Sequence, residues 1–179
     1  LAINEAMHIA MASDPNVILL GEDVAGGGGR KEQGIEEAWG GIMGTTKGLL
    51  KRFGPDRVLD TPISEMGFVS TAVGAAATGM RPIVELMFMD FLGECMDEVA
   101  NQMAQMRFMF GGSATLPITV LTMAGAGANL AAQHSQSLEA WIAHLPGLKV
   151  VMPATPHDVK GCIIAAARDN NPVFVVMNK

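Results

Sequence analysis

Short apolar segments alternate with helix-like segments along almost the whole chain, and this alternation restricts the fold more than any other feature. The segments 17–20, 118–123 and 173–177 carry no charged residue and consist largely of aliphatic side chains, which is typical of strands buried on both faces of a sheet. Between such segments, Ala2–Ser13 has an amphipathic helical pattern and Pro156–Arg168 begins with a proline, as many helices do. The alternation predicts an α/β fold, a doubly wound parallel sheet flanked by helices.

The remaining elements follow the same order. Further strands are predicted at 57–59, 83–87 and 148–152, and further helices at 46–53, 66–80, 91–109 and 138–143. With 179 residues, the chain has the length of a single domain, 1–179.

The composition excludes several classes of protein. Apolar residues make up 49% of the chain and charged residues 17%, which excludes intrinsic disorder and leaves enough apolar surface to favour a protein partner. The net charge of −6 argues against a nucleic-acid surface. Residues 1–5 lack the basic start of a signal peptide, and the long uncharged stretch 113–138 contains proline, glycine and histidine, which argues against a membrane span. We therefore expect a cytoplasmic domain that binds neither nucleic acid nor membrane.

Three loops deserve inspection as candidate sites, because ligands of doubly wound folds bind in the loops that follow the carboxyl ends of strands. These loops begin at Gly21, at Asp60 and at Ala124. Glu65 ends the second loop where the apolar helix 66–80 begins, and a carboxylate there either complements the helix N-terminus or is buried for a function. His134 belongs to the third loop, between polar neighbours that could fix its tautomer.

Other motifs favour less specific interpretations. The glycine run 26–29 lacks the Gly-Lys-Ser/Thr of a phosphate-binding loop, and Gly125-Ala126-Gly127 lacks the third glycine of a dinucleotide fingerprint. Glu94, Asp97 and Glu98 are interpreted as a solvated helix face, and Cys95 and Cys162 as reduced thiols. A Rossmann-type nucleotide-binding module and a non-catalytic oligomerisation domain stay open as alternatives.

The loop 60–68, Asp60-Thr61-Pro62-Ile63-Ser64-Glu65-Met66-Gly67-Phe68, resembles the signature of β subunits of thiamine-diphosphate-dependent 2-oxo acid dehydrogenases. Such subunits belong to the E1 components of pyruvate, branched-chain and acetoin dehydrogenase complexes and are transketolase-like. Further matches occur in order along the chain, at 21–24, 81–85, 132–136, 146–151 and 168–172. Segments 24–27 and 38–41 are most similar to the acetoin-cleaving branch. Another transketolase-like enzyme is the alternative within this resemblance.

The resemblance implies a role for each candidate residue. In the family, the glutamate matching Glu65 hydrogen-bonds N1′ of the aminopyrimidine of thiamine diphosphate and so promotes deprotonation of the thiazolium carbon. Phe91 matches the aromatic residue that packs near the pyrimidine ring, and Met87 is a neighbour of the same site. His134 matches a histidine at the mouth of the site that orients the substrate and assists acyl transfer to a lipoyl group. Only the first, pyrimidine-binding domain of the two-domain β subunit is matched.

The resemblance also implies ligands outside the pyrimidine site. Mg²⁺ and the diphosphate are expected on the E1 α subunit of an α2β2 heterotetramer, because this chain contains no Gly-Asp-Gly motif. The lipoyl-bearing E2 component is a further expected partner. Potassium is expected at a structural site whose matching residues are Ile118, Ala166, Ala167, Asp169 and Asn171. The chain alone should therefore hold half of a cofactor site and be inactive.

Overall fold

The computed structural model describes residues 1–26, 40–41 and 43–179. Its strands are β1 Val17–Gly21, β2 Val58–Asp60, β3 Arg81–Phe88, β4 Thr119–Ala124, β5 Lys149–Val151 and β6 Val173–Asn178. They form one six-stranded sheet in the order β2-β1-β3-β4-β6-β5, and every pair among them is parallel. The predicted doubly wound parallel sheet is thereby confirmed.

Helices cover both faces of this sheet. The α-helices are α1 Ala2–Ser13, α2 Leu49–Phe53, α3 Glu65–Ala77, α4 Met106–Met109, α5 Glu139–Ala143 and α6 Pro156–Arg168. One hydrophobic core lies between the sheet and α3 with the helical segments that follow β3, and the other lies between the sheet and α1, α2 and α6. Two faces buried in this way explain why the central strands read as continuous apolar runs.

The segment 91–109 differs from its prediction as one helix. A 3₁₀ helix spans Met89–Cys95, a π-helix spans Glu98–Met103, and only α4 is an α-helix in that stretch. The apolar pattern is compatible with all three windings, so the contacts with α3 select among them. Short π-helical segments are rare and are found frequently near functional sites.

The structure also bears on the expectations for the two cysteines, for membrane-spanning helices and for the glycine loop. Cys95 is buried, Cys162 is half-buried, and both are free thiols. No helix in the described ranges is long and apolar enough to cross a membrane. Glycines 27–29 and residues 38–39, which belong to the predicted glycine loop and to the acetoin-like segments, lie outside the described residues.

Candidate active site

The loops after β1, β2, β3 and β4 lie at one edge of the sheet, because parallel strands all end on the same side. β2 and β3 flank β1, so the chain reverses its direction of winding between β1 and β3. Such a reversal opens a crevice at the carboxyl edge in which doubly wound folds bind ligands. The predicted residues Glu65, Phe91 and His134 follow β2, β3 and β4 and therefore face one region.

A pair of acidic side chains occupies this crevice. Glu65 begins α3 and is 8% exposed. Glu22, directly after β1, shares a side-chain hydrogen bond with Glu65. Burial raises the pKa of Glu22 to about 7, and the neighbouring Glu65 carboxylate acts in the same direction. The Glu22 carboxyl group is therefore partly protonated at neutral pH and can donate to Glu65.

A third carboxyl group, on Glu85 of β3, lies behind this pair. Thr45 donates a hydrogen bond of 2.9 Å to Glu85 Oε1. Burial raises the pKa of Glu85 to about 7, the hydrogen bond from Thr45 opposes this shift, and the charges of Asp23 and Glu22 add to it. The backbone carbonyl oxygen of Thr45 accepts a second hydrogen bond, from Asn4 Nδ2. Through its own bond to Thr45, Glu85 joins the loop that contains Thr45 to the sheet.

Three rings pack together as an aromatic wall at the same edge of the sheet. His134 packs edge-on against Phe88, with ring centroids 4.9 Å apart, and against Phe91 at 5.3 Å. The rings of Phe88 and Phe91 meet edge to face at 5.8 Å. Phe88 is buried, whereas Phe91 and His134 are half-buried. A half-buried aromatic ring at the same sheet edge as the buried Glu65 carboxyl suits a flat, nitrogen-containing ring as ligand.

Met87 lies where the ladder between β3 and β4 changes register. Leu86 pairs with Thr122 and Phe88 with Met123, so Met87 is the additional residue of a bulge. Bulges redirect neighbouring side chains and are frequent beside active sites. The bulge at Met87 lies directly before Phe88, the first of the three aromatic residues in the wall.

The predicted potassium ligands have other partners in the structure. Arg81 donates to the carbonyl oxygens of Ala167 and Asp169 at 2.8 and 2.7 Å, and the Ile118 carbonyl accepts from Val173 N–H at 2.9 Å. A guanidinium cation thus already faces two of the five predicted carbonyls. This arrangement does not fit a potassium ion unless Arg81 moves. No cluster of three or more His, Cys, Asp or Glu side chains that could hold a metal occurs in the described parts of the chain.

Sequence reasoning missed two residues of the site and misread the exposure of another acid, Glu98. Glu22 and Glu85 lie in the matching segments 21–24 and 81–85, but neither is predicted to have a role, although the position of Glu22 after a buried strand is a usable signal. The interpretation of Glu98 as solvated is wrong, because Glu98 is 8% exposed and its Oε1 accepts from Ser70 Oγ at 3.1 Å. Its π-helix packs against α3, which covers the carboxyl group.

A cavity of about 460 Å³ lies elsewhere, at the amino edge of the sheet. Leu116, Gly147 and Pro172, which precede β4, β5 and β6, contribute to its lining together with Arg107 and Phe108. None of the acidic and aromatic residues of the crevice lines it. The chemistry-bearing residues therefore lie outside this cavity.

The loop after β4 gives no support to nucleotide binding. Residues 125–131 form no helix, and only the short 3₁₀ turn Ala132–His134 follows. A dinucleotide fingerprint requires a helix whose N-terminus faces the phosphates.

Comparison with known proteins agrees with this geometry. Residues 1–179 match the family described as "Transketolase, pyrimidine binding domain". The chain is 57% identical over 178 residues to the acetoin:2,6-dichlorophenolindophenol oxidoreductase subunit beta of Bacillus subtilis (strain 168), covering 99% of this chain and 52% of that protein. It is 45% identical over 178 residues to the mitochondrial pyruvate dehydrogenase E1 component subunit beta of Bos taurus, covering 99% and 46%.

Solved structures show the same fold. A split-gene transketolase, described as an inactive beta4 tetramer, superimposes with a TM-score of 0.73 at 20% identity, over 99% of this chain and 49% of that one. The chain spans about half the length of the curated relatives it matches. Since the family pattern extends over all of its residues and the curated relatives align with 99% of them, the chain belongs to the transketolase pyrimidine-binding domain family.

Proposed function

We propose that this chain supplies the aminopyrimidine half of a thiamine diphosphate site in the E1 component, subunit β, of a 2-oxo acid or acetoin dehydrogenase. The observation that carries the proposal is the buried Glu65 carboxyl, hydrogen-bonded to Glu22 at the reversal point between β1 and β3. A buried carboxyl group such as that of Glu65, with a second carboxyl group close by to supply a proton, is a suitable hydrogen-bond partner for a ring nitrogen. When bound, thiamine diphosphate supplies a thiazolium carbon that becomes a nucleophile once deprotonated.

The residues of the chain divide the remaining tasks. Glu65 holds the proton at the pyrimidine nitrogen, and Glu22 keeps a second proton within hydrogen-bond reach of Glu65. Phe91 offers a half-buried ring for packing against the pyrimidine, and the bulge at Met87 sets the direction of that segment. His134, packed on Phe91, orients the substrate at the mouth of the site and assists acyl transfer to a lipoyl group.

The partners of the proposal follow from the names of the relatives, which are β subunits. An E1 α subunit would complete an α2β2 heterotetramer and hold Mg²⁺ with the diphosphate, and a lipoyl-bearing E2 component would accept the acyl group. Exposed apolar side chains beside the crevice suit a subunit contact, since Ile63 is 84% and Met66 58% exposed. The chain would be the first of two domains of its subunit, in the cytoplasm of a bacterium or in a mitochondrial matrix.

Potassium binding at a site formed by Ile118, Ala166, Ala167, Asp169 and Asn171, largely through carbonyl oxygens, stays a prediction. It requires the Arg81 guanidinium to leave the carbonyl oxygens of Ala167 and Asp169. No step of the proposed function depends on it.

Acetoin is the first substrate to test. Identity is 57% and 55% to two acetoin:2,6-dichlorophenolindophenol oxidoreductase β subunits but 45% to the bovine pyruvate dehydrogenase subunit. The full-length subunit, assembled with its α subunit, should be assayed with acetoin, pyruvate and branched-chain 2-oxo acids, with 2,6-dichlorophenolindophenol as electron acceptor. The α subunit contributes to the substrate pocket, so this assay requires the complex.

Glu65→Ala tests the chemistry directly. In the assembled enzyme we expect exchange of the thiazolium C2 proton with deuterated water to slow by about 100-fold or more, in the range of general acid–base contributions. Glu65→Gln should be similarly slow, because an amide fills the space without exchanging a proton. NMR of the bound cofactor after acid quench measures the exchange.

Glu5→Gln is the matched control. Glu5 is an exposed acid on α1 that pairs with Lys160 at 2.8 Å, in the opposite helical layer. We expect wild-type exchange in this variant. Unchanged exchange in Glu65→Ala would refute the proposed role of the chain in cofactor activation.

A further inference from the structure

The segment that carries His134 has a backbone conformation that needs external support. Asn129 and Ala131 have positive φ angles of 55° and 58°. Ala131 combines its φ with ψ −170°, a region occupied almost exclusively by glycine. Between β4 and α5 the only regular structure is the turn Ala132–His134. A strained conformation of this kind persists only where surrounding contacts fix it.

Asp90 supplies one such contact from the neighbouring element. It is the second residue of the 3₁₀ helix that follows β3 and also carries Phe91. Its Oδ1 accepts a 3.1 Å hydrogen bond from Gln136 N–H, two residues after His134. The Gln136 carbonyl in turn accepts from Gly125 N–H at 2.9 Å. Gln136 is therefore fixed on both sides, by the end of β4 and by the segment of Phe91.

The second oxygen of Asp90 has a different environment. Asp90 Oδ2 is buried and makes no hydrogen bond to any described residue. Burying half of a carboxylate without a partner opposes folding. Oδ2 therefore does not explain the residue at this position, whereas the hydrogen bond that Oδ1 accepts from the loop amide does.

Lys179 holds the same segment from the end of β6. Its ammonium group donates to the backbone carbonyl of His134. It also lies 4.5 Å from the centroid of the Phe88 ring, against which the His134 imidazole packs. Two charged side chains thus hold residues 134 and 136 against the aromatic wall.

We infer that Asp90, together with Lys179, is a positioning residue that fixes the His134 imidazole against the rings of Phe88 and Phe91. The inference rests on the proposed function for the role of His134 in turnover. Neither anchor needs to touch substrate or cofactor, because both bind the backbone of the loop. Misplacement of a reacting group by about 1 Å can lower a rate by about 100-fold, so such anchors matter for catalysis.

The kinetic test uses Asp90→Ala and Asp90→Asn in the full-length subunit assembled with its α subunit. We expect Asp90→Ala to lower kcat for transfer to a lipoyl acceptor by about 10- to 100-fold, as for a displaced catalytic group, with little change in KM for thiamine diphosphate. Asp90→Asn should recover most of the loss, because its amide oxygen can accept from Gln136 N–H. Asp56→Ala, an exposed acid before β2, is the control and should match the wild type.

A double variant distinguishes positioning from a general structural defect. If Asp90 acts through His134, adding Asp90→Ala to His134→Ala should cause no further loss. Losses that multiply in the double variant would overturn the inference. If Asp90→Ala fails to assemble, Lys179→Met is the second variant. Adding Lys179→Met to His134→Ala should likewise cause no further loss.

Hydrogen–deuterium exchange gives a readout that does not depend on catalysis. In Asp90→Ala, amides 132–138 should exchange faster than in the wild type, and in Asp90→Asn and Asp56→Ala they should stay protected. Unchanged exchange in Asp90→Ala would overturn the inference even if the enzyme is active. Inactivity of the wild-type complex towards every substrate would instead refute the proposed function, while the exchange result still decides whether Asp90 anchors the loop.

Discussion

At the scale of single residues, we expect Glu85 to make the stability of the folded chain depend on pH. Its pKa in the folded chain is about 7, above the ordinary value of 4.5. Between these two values the folded chain binds more protons than the unfolded chain, so the free energy of unfolding falls as pH rises from 4.5 to 7. Above pH 7 the contribution of Glu85 to the free energy of unfolding no longer changes with pH, because Glu85 is then ionised in both the folded and the unfolded chain.

Glu85→Gln should remove this pH dependence. Its amide oxygen can still accept from Thr45, so the geometry is kept. In the full-length subunit, the free energy of unfolding of the variant minus that of the wild type should increase by about 2 kcal/mol from pH 4.5 to pH 7. Urea titrations across this range measure it. Glu5→Gln is the control, since the Lys160 ammonium lowers the pKa of Glu5 and confines its effect to lower pH. Parallel profiles of Glu85→Gln and wild type would contradict the prediction.

The same residue scale shows where sequence reasoning succeeds and where it stops. Glu65 and His134 could be placed because each follows a predicted strand at the carboxyl edge. Glu22 follows a strand too, but its burial and its bond to Glu65 arise from two loops 43 residues apart. Glu98 shows the same limit, since only the packing of its π-helix on α3 removes it from water.

At the scale of elements, the close approach of β1 and β3 positions the acidic pair. Gly21 is the last residue of β1 and pairs with Glu85. A Cβ added to Gly21 would lie 2.8 Å from the Glu85 carbonyl oxygen and 3.1 Å from Val24 Cγ1. Because the first of these atoms belongs to the backbone, the strands themselves would have to move. Glu22, the next residue, would move with them.

Gly21→Ala should therefore weaken both fold and site. We expect a loss of about 1–3 kcal/mol in the free energy of unfolding, as for overpacking in a core, and slower C2 proton exchange in the assembled enzyme. Gly161→Ala is the matched control, because Gly161 lies within α6 with open space around it. That variant should gain about 0.5–1 kcal/mol from helix propensity. Equal urea midpoints for Gly21→Ala and wild type would contradict the prediction.

Elements also differ in how well the sequence predicts them. Ala2–Ser13 and Pro156–Arg168 are predicted to the residue, because amphipathic spacing and a proline at the start define them locally. Each strand is predicted within two residues of its ends, because a run buried on both faces has no polar interruption. The segment 91–109 was predicted wrongly, since the choice among 3₁₀, α and π winding depends on contacts with α3 and on the bulge at Met87.

At the scale of the whole molecule, the distribution of polar and apolar groups suits half of a composite site. The crevice has carboxyl groups and aromatic rings, which suit the pyrimidine half of the proposed site. Its rim has exposed Ile63 and Met66, and Phe108, Met109 and Phe110 form another apolar surface with exposed fractions of 84, 60 and 61%. Patches of this kind commonly mark protein contacts.

Binding of thiamine diphosphate should consequently require the α subunit. Isothermal titration of the cofactor with Mg²⁺ into this chain alone should give little heat, because the proposal assigns the pyrimidine to this chain and the diphosphate with Mg²⁺ to the α subunit. The same titration into the assembled enzyme should show saturable binding, weakened by Glu65→Ala and unaffected by Glu5→Gln. Neither sample should bind NAD, because residues 125–131 after β4 form no helix whose N-terminus could face a phosphate. Tight binding of thiamine diphosphate by the chain alone would contradict the division of the site between subunits. Tight binding of NAD would favour a nucleotide-binding module instead.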